Sequence, residues 1–196
     1  MNITTINRLL GFLGLSLLAL VCTATGVKAQ AAPAAQSPQV TALMDRAIIE
    51  NLIVDYYSHI GNSSFNFGQY FVKDGVLDVN GIVAKGAEAI KALYVQASGG
   101  AIAPPKQDPN APPRGMFNMQ LTNLKVEVTG NTATADMFWS SVESKTLISP
   151  PSVTEYGRDH TEFVKQNGHW LIKRRIVTSG GGMPEGELQS YRNMKR

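Results

Sequence analysis

Between Leu43 and Ile60 the apolar residues Ile48, Ile49, Leu52, Ile53, Tyr56 and Ile60 recur at three- and four-residue intervals. That spacing lays a stripe along one helix face, and Gly61-Asn62-Ser63-Ser64 then supplies turn formers that end the helix. A short second helix is expected from Phe65 to Phe71, a first strand over Gly75 to Val79 with a turn at Gly81, and a third helix from Ala87 to Gln96. Ser98 to Gly115 carries Pro104, Pro105, Pro109, Pro112 and Pro113, which removes too many amide donors for a helix or a central strand. The pattern then changes to period two. Leu124, Val126 and Val128 alternate with polar residues, Thr129-Gly130-Asn131 marks a turn, and Thr132 to Glu143 is its partner strand. Val153 to Lys165 and His169 to Thr178 pair across Asn167-Gly168, a strong hairpin signal. Helices with an early strand, followed by long antiparallel strands, define an α+β domain in which three N-terminal helices cover one face of a strongly curved, mostly antiparallel sheet.

Composition changes this picture mainly at the N-terminus. Arg8 precedes an apolar run from Leu9 to Val21, and Val27-Lys28-Ala29 precedes Gln30, the pattern of a secretory signal peptide over residues 1–29 with cleavage after Ala29. The run is shorter than the roughly 20 residues a membrane-spanning helix needs, so export to the periplasm or beyond is expected, without a membrane span. Residues 30–40, rich in Ala, Pro and Gln, form an expected flexible leader, residues 41–178 the domain and residues 179–196 a polar tail. Cys22 is the only cysteine and falls within the signal segment, which excludes disulfides and thiolate chemistry from the mature chain. Of 18 Lys and Arg, 2 lie in the signal segment, leaving 16 against 15 acids and a net charge of +1. This charge gives no case for nucleic-acid binding. The run Lys173-Arg174-Arg175 is expected on a solvated sheet face.

Several segments carry a resemblance: Arg46 to Leu52, Tyr56 at the helix end, Phe71 to Val79, Lys85 to Ile90, Thr122 to Val128, Thr132 to Ala135 and Gly168 to Ile172. In order and spacing they resemble the SnoaL-like domains of the nuclear-transport-factor-2-like superfamily. The resemblance implies a cone-shaped α+β barrel around one deep, mostly apolar pocket. Its relatives include ketosteroid isomerase, scytalone dehydratase, polyketide cyclases, dehydrochlorinases and members without catalysis, so the fold does not fix the function.

Carried over residue by residue, the resemblance implies that Tyr56 matches the phenol donor of the isomerases and Asp159 their protonated-acid donor. The isomerase base position matches Val79, while Asp78 is one residue away and so on the other side of a regular strand. The dehydratase His and Asp positions match Met119 and Gly61, neither of which moves a proton. His59 follows Tyr56 by three residues and is either the missing base or a partner for the last helix carbonyls. Asp159 is either a pocket donor or the partner of Arg158 or Arg175. The candidate catalytic set is therefore Tyr56, Asp159, His59 and Asp78, with Tyr57, Val79, Phe117, Met119, Trp139 and Phe163 as candidate ligand contacts. The three histidines lack metal-ligand spacing and no Gly-rich strand-to-helix loop is present, so neither a metal nor a nucleotide cofactor is expected. The expected function is binding of a small hydrophobic oxygenated molecule, with cofactor-free proton transfer of isomerase, dehydratase or cyclase type. The alternative is a non-catalytic ligand-binding or dimerising module, and a homodimer is the oligomer that relatives suggest.

Overall fold

A computed structural model describes residues 37–62, 64–97, 110–183, 185 and 188. The expected signal segment, most of the leader, most of the proline-rich loop and nearly all of the tail lie outside the described residues.

Helix α1 spans Pro38–Ser58. The Ser37 side chain accepts from Val40 N at 3.3 Å and Pro38 occupies the first turn, where its missing N–H costs nothing. The buried face of α1 is Asp45, Ile49, Ile53, Tyr56 and Tyr57. Ile48, expected on the stripe, is instead 47% exposed, because the helix also turns Tyr57 and Asp45 toward the sheet.

The second expected helix is only a 3-10 turn, Phe67–Tyr70. Asn66 caps it by accepting from Gly68 N at 3.2 Å, and strand β1 begins immediately at Phe71, so the segment has no length to close an α-helical ladder. Gly68 is pressed onto Ala87, where a Cβ would come within 2.6 Å of the Ala87 carbonyl oxygen. The third expected helix forms as α2, Ala87–Ala97, so the described residues contain two α-helices rather than three.

Six strands make one sheet: β1 Phe71–Val79, β2 Ile82–Lys85, β3 Phe117–Thr129, β4 Thr132–Glu143, β5 Ser152–Gln166 and β6 His169–Gly181. Their spatial order is β2-β1-β6-β5-β4-β3, antiparallel except for the β1–β6 pair. Strand β2, which the sequence pattern did not reveal, follows Asn80-Gly81, whose φ angles of 53° and 85° suit a tight hairpin turn. The Asn167-Gly168 hairpin forms where expected, and β6 continues three residues past Thr178.

The inner face of the sheet and the two helices share a core of Ile49, Ile53, Leu77, Ile90, Ala135, Phe163 and Ile172, each almost wholly removed from water. At roughly 1.5–3 kcal/mol for each large buried side chain, this burial is the main source of stability. Among the described residues the strand pairs shift register at five places, including one on β3, one on β5 and one on β6. On β3, pairing passes from Thr122↔Phe138 to Lys125↔Asp136, and Asn123 takes φ 54°. On β5, Thr154 is the extra residue between Glu155 and Val153. On β6, Phe163↔Ile172 is followed by Glu162↔Arg174, so Lys173 is the extra residue. An extra residue inverts the side-chain alternation beyond it. Trp170 and Ile172 therefore share the inner face with Arg175, and only Lys173 and Arg174 of the basic run are exposed.

Candidate functional site

The polar centre of the domain lies between α1, α2 and the inner face of β5 and β6. The alternation of β5 brings Asp159, Thr161 and Phe163 inward and leaves His160 on the outer face. The last turns of α1 bring Tyr56 and Tyr57, α2 brings Tyr94, and the bulged β6 brings Arg175.

Asp159 is the hub of this cluster. Its Oδ2 accepts from Arg175 Nε at 2.6 Å and from the Tyr57 hydroxyl at 2.8 Å, while Oδ1 accepts from the Thr161 hydroxyl at 2.7 Å. Both members of the Asp159–Arg175 pair are almost inaccessible to water, with side-chain exposures of 0% and 4%. Arg175 Nη1 donates to the Tyr94 hydroxyl at 3.3 Å, and the Tyr94 and Tyr56 hydroxyls are 2.6 Å apart. The Arg175 guanidinium also lies over the Tyr56 ring at 4.1 Å and the Tyr57 ring at 4.7 Å, both within cation–π range.

Burial pushes the Tyr56 and Tyr57 phenols well above their ordinary pKa, and the opposing charge of Arg175 does not reverse this. Burial raises Tyr94 as well. For Arg175 burial is the largest single influence and works against the charge, but Asp159 together with Tyr56, Tyr57 and Tyr94 outweighs it and holds the pKa well above the ordinary guanidinium value. The phenols are therefore neutral donors and acceptors at physiological pH, and Arg175 is a permanent cation.

Little empty space remains. The cavity lined by Leu52, Tyr56, Tyr57, Asp159, Phe163 and Arg175, among others, is about 10 Å³. That is room for about one water. The deep pocket expected from the resemblance is thus filled in this conformation by the side chains of its own polar cluster.

The expected site residues separate into three groups. Tyr56, Tyr57, Asp159 and Phe163 meet around the small cavity. Asp159 accepts from three donors there, an arrangement different from the protonated donor that the resemblance implies; of the two arginines weighed as its partner, Arg175 is the one bonded to it. Trp139 is buried beside Gly157 with Nε1 donating to the Arg158 carbonyl at 3.3 Å, while Val79 and Met119 pack against the edge of the core. His59, Asp78 and Phe117 do not join the cluster. Leu77 is buried and Val79 packs on the core, so Asp78 between them points away, and its Oδ1 accepts from Gly81 N at 2.9 Å. Phe117 is 43% exposed and rests beside Gly61. His59 lies at the end of α1 with Nδ1 2.8 Å from the Asp55 carbonyl and its ring stacked 3.7 Å from Phe65.

Arg175, Tyr94 and Thr161 were not among the expected site residues. Thr161 could have been found from its alternation with Asp159 and Phe163. The sequence offers Arg175 as one of two ion-pair partners of Asp159, but unbroken alternation from Ile172 would turn Arg174 inward in its place.

The model of the SnoaL-like domain family matches residues 41–176. The chain belongs to the SnoaL-like family. No curated protein matches it. Among solved structures, a single-residue variant of Rv3472 from Mycobacterium tuberculosis, a protein of unknown function, is similar at 20% identity and a TM-score of 0.58, over 74% of this chain and 77% of that one. An NTF2-like protein with a cystatin-like fold from Novosphingobium aromaticivorans is similar at 21% identity and TM-score 0.56, over 78% of this chain and 92% of that one. A candidate scytalone dehydratase from the same organism is similar at 21% identity and TM-score 0.54, over 73% and 89%. At these identities the likeness establishes the fold. Members of the SnoaL-like family include ligand-binding isomerases, dehydratases and cyclases.

Among the described residues no group of His, Cys, Asp and Glu is arranged to hold a metal ion, and no helix is long and apolar enough to cross a membrane.

Proposed function

We propose that this SnoaL-like chain binds a small hydrophobic oxygenated molecule at the polar centre of the domain, and that it acts as a binding protein rather than a proton-transfer catalyst. The observation that carries the reading is the bonding of Arg175. A guanidinium has five N–H donors; here Nε is given to Asp159 and Nη1 to Tyr94, and the group borders the small cavity. A ligand oxygen entering beside Arg175 would meet a fixed cation, and the Tyr56 and Tyr94 hydroxyls would supply further hydrogen bonds. Apolar contacts would come from Leu52, Met137, Phe163 and Ile172. Entry requires the cavity to widen.

Catalysis of the isomerase or dehydratase type needs a base within hydrogen-bond reach of the substrate carbon acid. The two acid–base candidates other than Asp159 and Tyr56 are directed elsewhere, Asp78 into a hairpin and His59 outside the cluster. Asp159 itself already accepts from three donors. These placements favour binding over turnover.

The test is ligand-induced thermal stabilisation across a panel of naphthol-, steroid- and quinone-type compounds, on the full chain and on Tyr94→Phe and Tyr56→Phe. The reading expects at least one compound to raise Tm, with the shift reduced in both variants. A panel without any shift, or shifts indifferent to both variants, overturns it. A SnoaL-type turnover assay on compounds that bind separates binder from catalyst.

The rival reading, a module for self-association, draws on the outer face of β4 and β5. Phe138 is 42% exposed there, capped by Arg158 at 5.0 Å, and His160 Nδ1 is 2.6 Å from Asp136 Oδ1. Sedimentation of Phe138→Asp against the parent chain tests it. Export, inferred from residues 1–29, belongs to the same proposal and is tested by fractionating cells that express the full chain.

A further inference from the structure

Outside the polar centre, α1, the 3-10 turn and the start of β6 enclose an open groove of about 710 Å³. Its volume is within the usual range of small-molecule sites. Asp55 and His59 lie one helical turn apart on its α1 wall, with Leu52 beside them, and Phe65 and Tyr70 form the facing wall.

The polar groups in this groove are held in place. A backbone carbonyl can only accept, so the 2.8 Å contact between His59 Nδ1 and Asp55 O puts a proton on Nδ1. In the neutral ring this leaves Nε2 as a lone-pair acceptor, and Nε2 makes no hydrogen bond among the described residues. Stacking on Phe65 at 3.7 Å fixes the ring plane. Asp55 Oδ2 accepts from the Tyr70 hydroxyl at 2.5 Å, which orients the carboxylate across the groove. Burial and this hydrogen bond raise the Tyr70 pKa, so the phenol stays a donor to Asp55. His169, at the other side, is exposed.

We propose that this groove is a second ligand site, separate from the polar centre, for a small aromatic molecule bearing a hydroxyl donor. The chemistry is complementary on both counts. Two acceptors on the α1 wall are His59 Nε2 and Asp55 Oδ1, the latter 4.0 Å from His59 Nδ1, and neither can donate when His59 is neutral. Phe65, Leu52 and the Tyr70 ring offer the apolar and aromatic surface that an arene covers. A ligand with only acceptors, such as an ether or ketone, finds no donor at His59 Nε2 or Asp55 and forgoes the hydrogen bond that a hydroxyl makes there. The inference does not rest on the proposed function, since it uses none of Tyr56, Tyr94, Asp159 or Arg175 to contact the ligand.

The test is NMR of the full chain with 13C-labelled histidine, titrated with 4-methylphenol and, in parallel, with 4-methylanisole. Three histidine signals are expected and are assigned with His59→Gln, His160→Gln and His169→Gln. The site predicts a saturable shift of the His59 signal with the phenol, at least tenfold weaker binding of the anisole, and no shift at His160. The phenol affinity should fall at least fivefold in Asp55→Asn and remain within twofold in Tyr94→Phe. An unmoved His59 signal, equal binding of phenol and anisole, or loss of the effect in Tyr94→Phe rather than Asp55→Asn overturns the proposal. Failure here with retained thermal shifts in the panel above leaves the polar-centre reading standing, and the reverse pattern does the opposite.

Discussion

Arg175 Nε meets Asp159 Oδ2 at 2.6 Å with both side chains shut away from water, joining β6 to β5 at the centre of the domain. Pairs of this kind are costly to break from one side, because the remaining charge stays buried and unpaired. Arg175→Met is therefore expected to destabilise the chain by about 3–5 kcal/mol, and Asp159→Asn by less, since an amide can still accept from Arg175 and Tyr57. Urea denaturation measures both. The double variant Arg175→Met/Asp159→Leu should recover part of the loss, and a strictly additive result would show that the two residues do not act as a pair.

Lys173 is the extra residue of the β6 bulge, between Ile172 and Arg174. Lys173→Ala should change stability by less than about 0.5 kcal/mol, as for other exposed positions. Deletion of Lys173 removes the extra residue and restores regular alternation with Ile172 and Arg175 inward and Arg174 outward, so the Arg175–Asp159 pair should survive and the variant should still unfold cooperatively. Near-ultraviolet circular dichroism and urea melts check both. A deletion variant without native near-ultraviolet spectra or a cooperative melt would contradict the bulge assignment.

Asp45 anchors α1 to the β5–β6 hairpin, accepting from Lys165 Nζ at 2.7 Å and Trp170 Nε1 at 3.0 Å. The hydrogen bond from Lys165 lowers its pKa and burial opposes the shift, with the net direction down. A depressed folded-state pKa gives stability that is present above the unfolded value, about 3.9, and is lost as pH falls through the folded value. Asp45→Asn should cost about 1.5–3 kcal/mol at neutral pH and flatten the acid limb of the stability curve. Chemical denaturation between pH 2 and 7 tests this; parallel curves for parent and variant would remove Asp45 from the acid response.

At alkaline pH the buried phenols take over. Tyr56, Tyr57 and Tyr94 are raised mainly by burial, so in the folded chain they keep their protons at pH values where an ordinary phenol of pKa about 10 has ionised. The unfolded chain binds fewer protons in that range, so stability should fall as pH rises above about 10. Ultraviolet titration should show part of the tyrosine absorbance appearing only together with unfolding. A single smooth titration of all phenols in the folded state would exclude this burial.

Short-range chemistry accounts for the features that were legible in the residue order. The period-three and period-four stripe makes α1, although the helix begins at Pro38, inside the expected leader, because Ser37 caps it; Asn167-Gly168 makes the hairpin, and alternation along β5 turns Asp159 inward and His160 outward. Each follows from local backbone preference or from an unbroken period of two. The α+β class and the family resemblance follow from the order of such segments.

What fills the centre depends instead on long-range packing and strand register. The shift at Lys173 brings Arg175 rather than Arg174 beside Asp159, and the one at Asn123 moves the inward set on β3 from Met119 and Leu121 to Leu124 and Val126. A bulge depends on how neighbouring strands twist and pair, which a single strand's alternation does not encode. Tyr94 reaches Tyr56 and Arg175 only because Gly68 lets the 3-10 turn and α2 close together. His59, three residues from Tyr56 in sequence, is turned away from it by the carbonyl of Asp55 and the ring of Phe65. The sequence located the polar centre through Tyr56 and Asp159, while strand register and helix packing determined that its cation is Arg175 and that His59 faces a different groove.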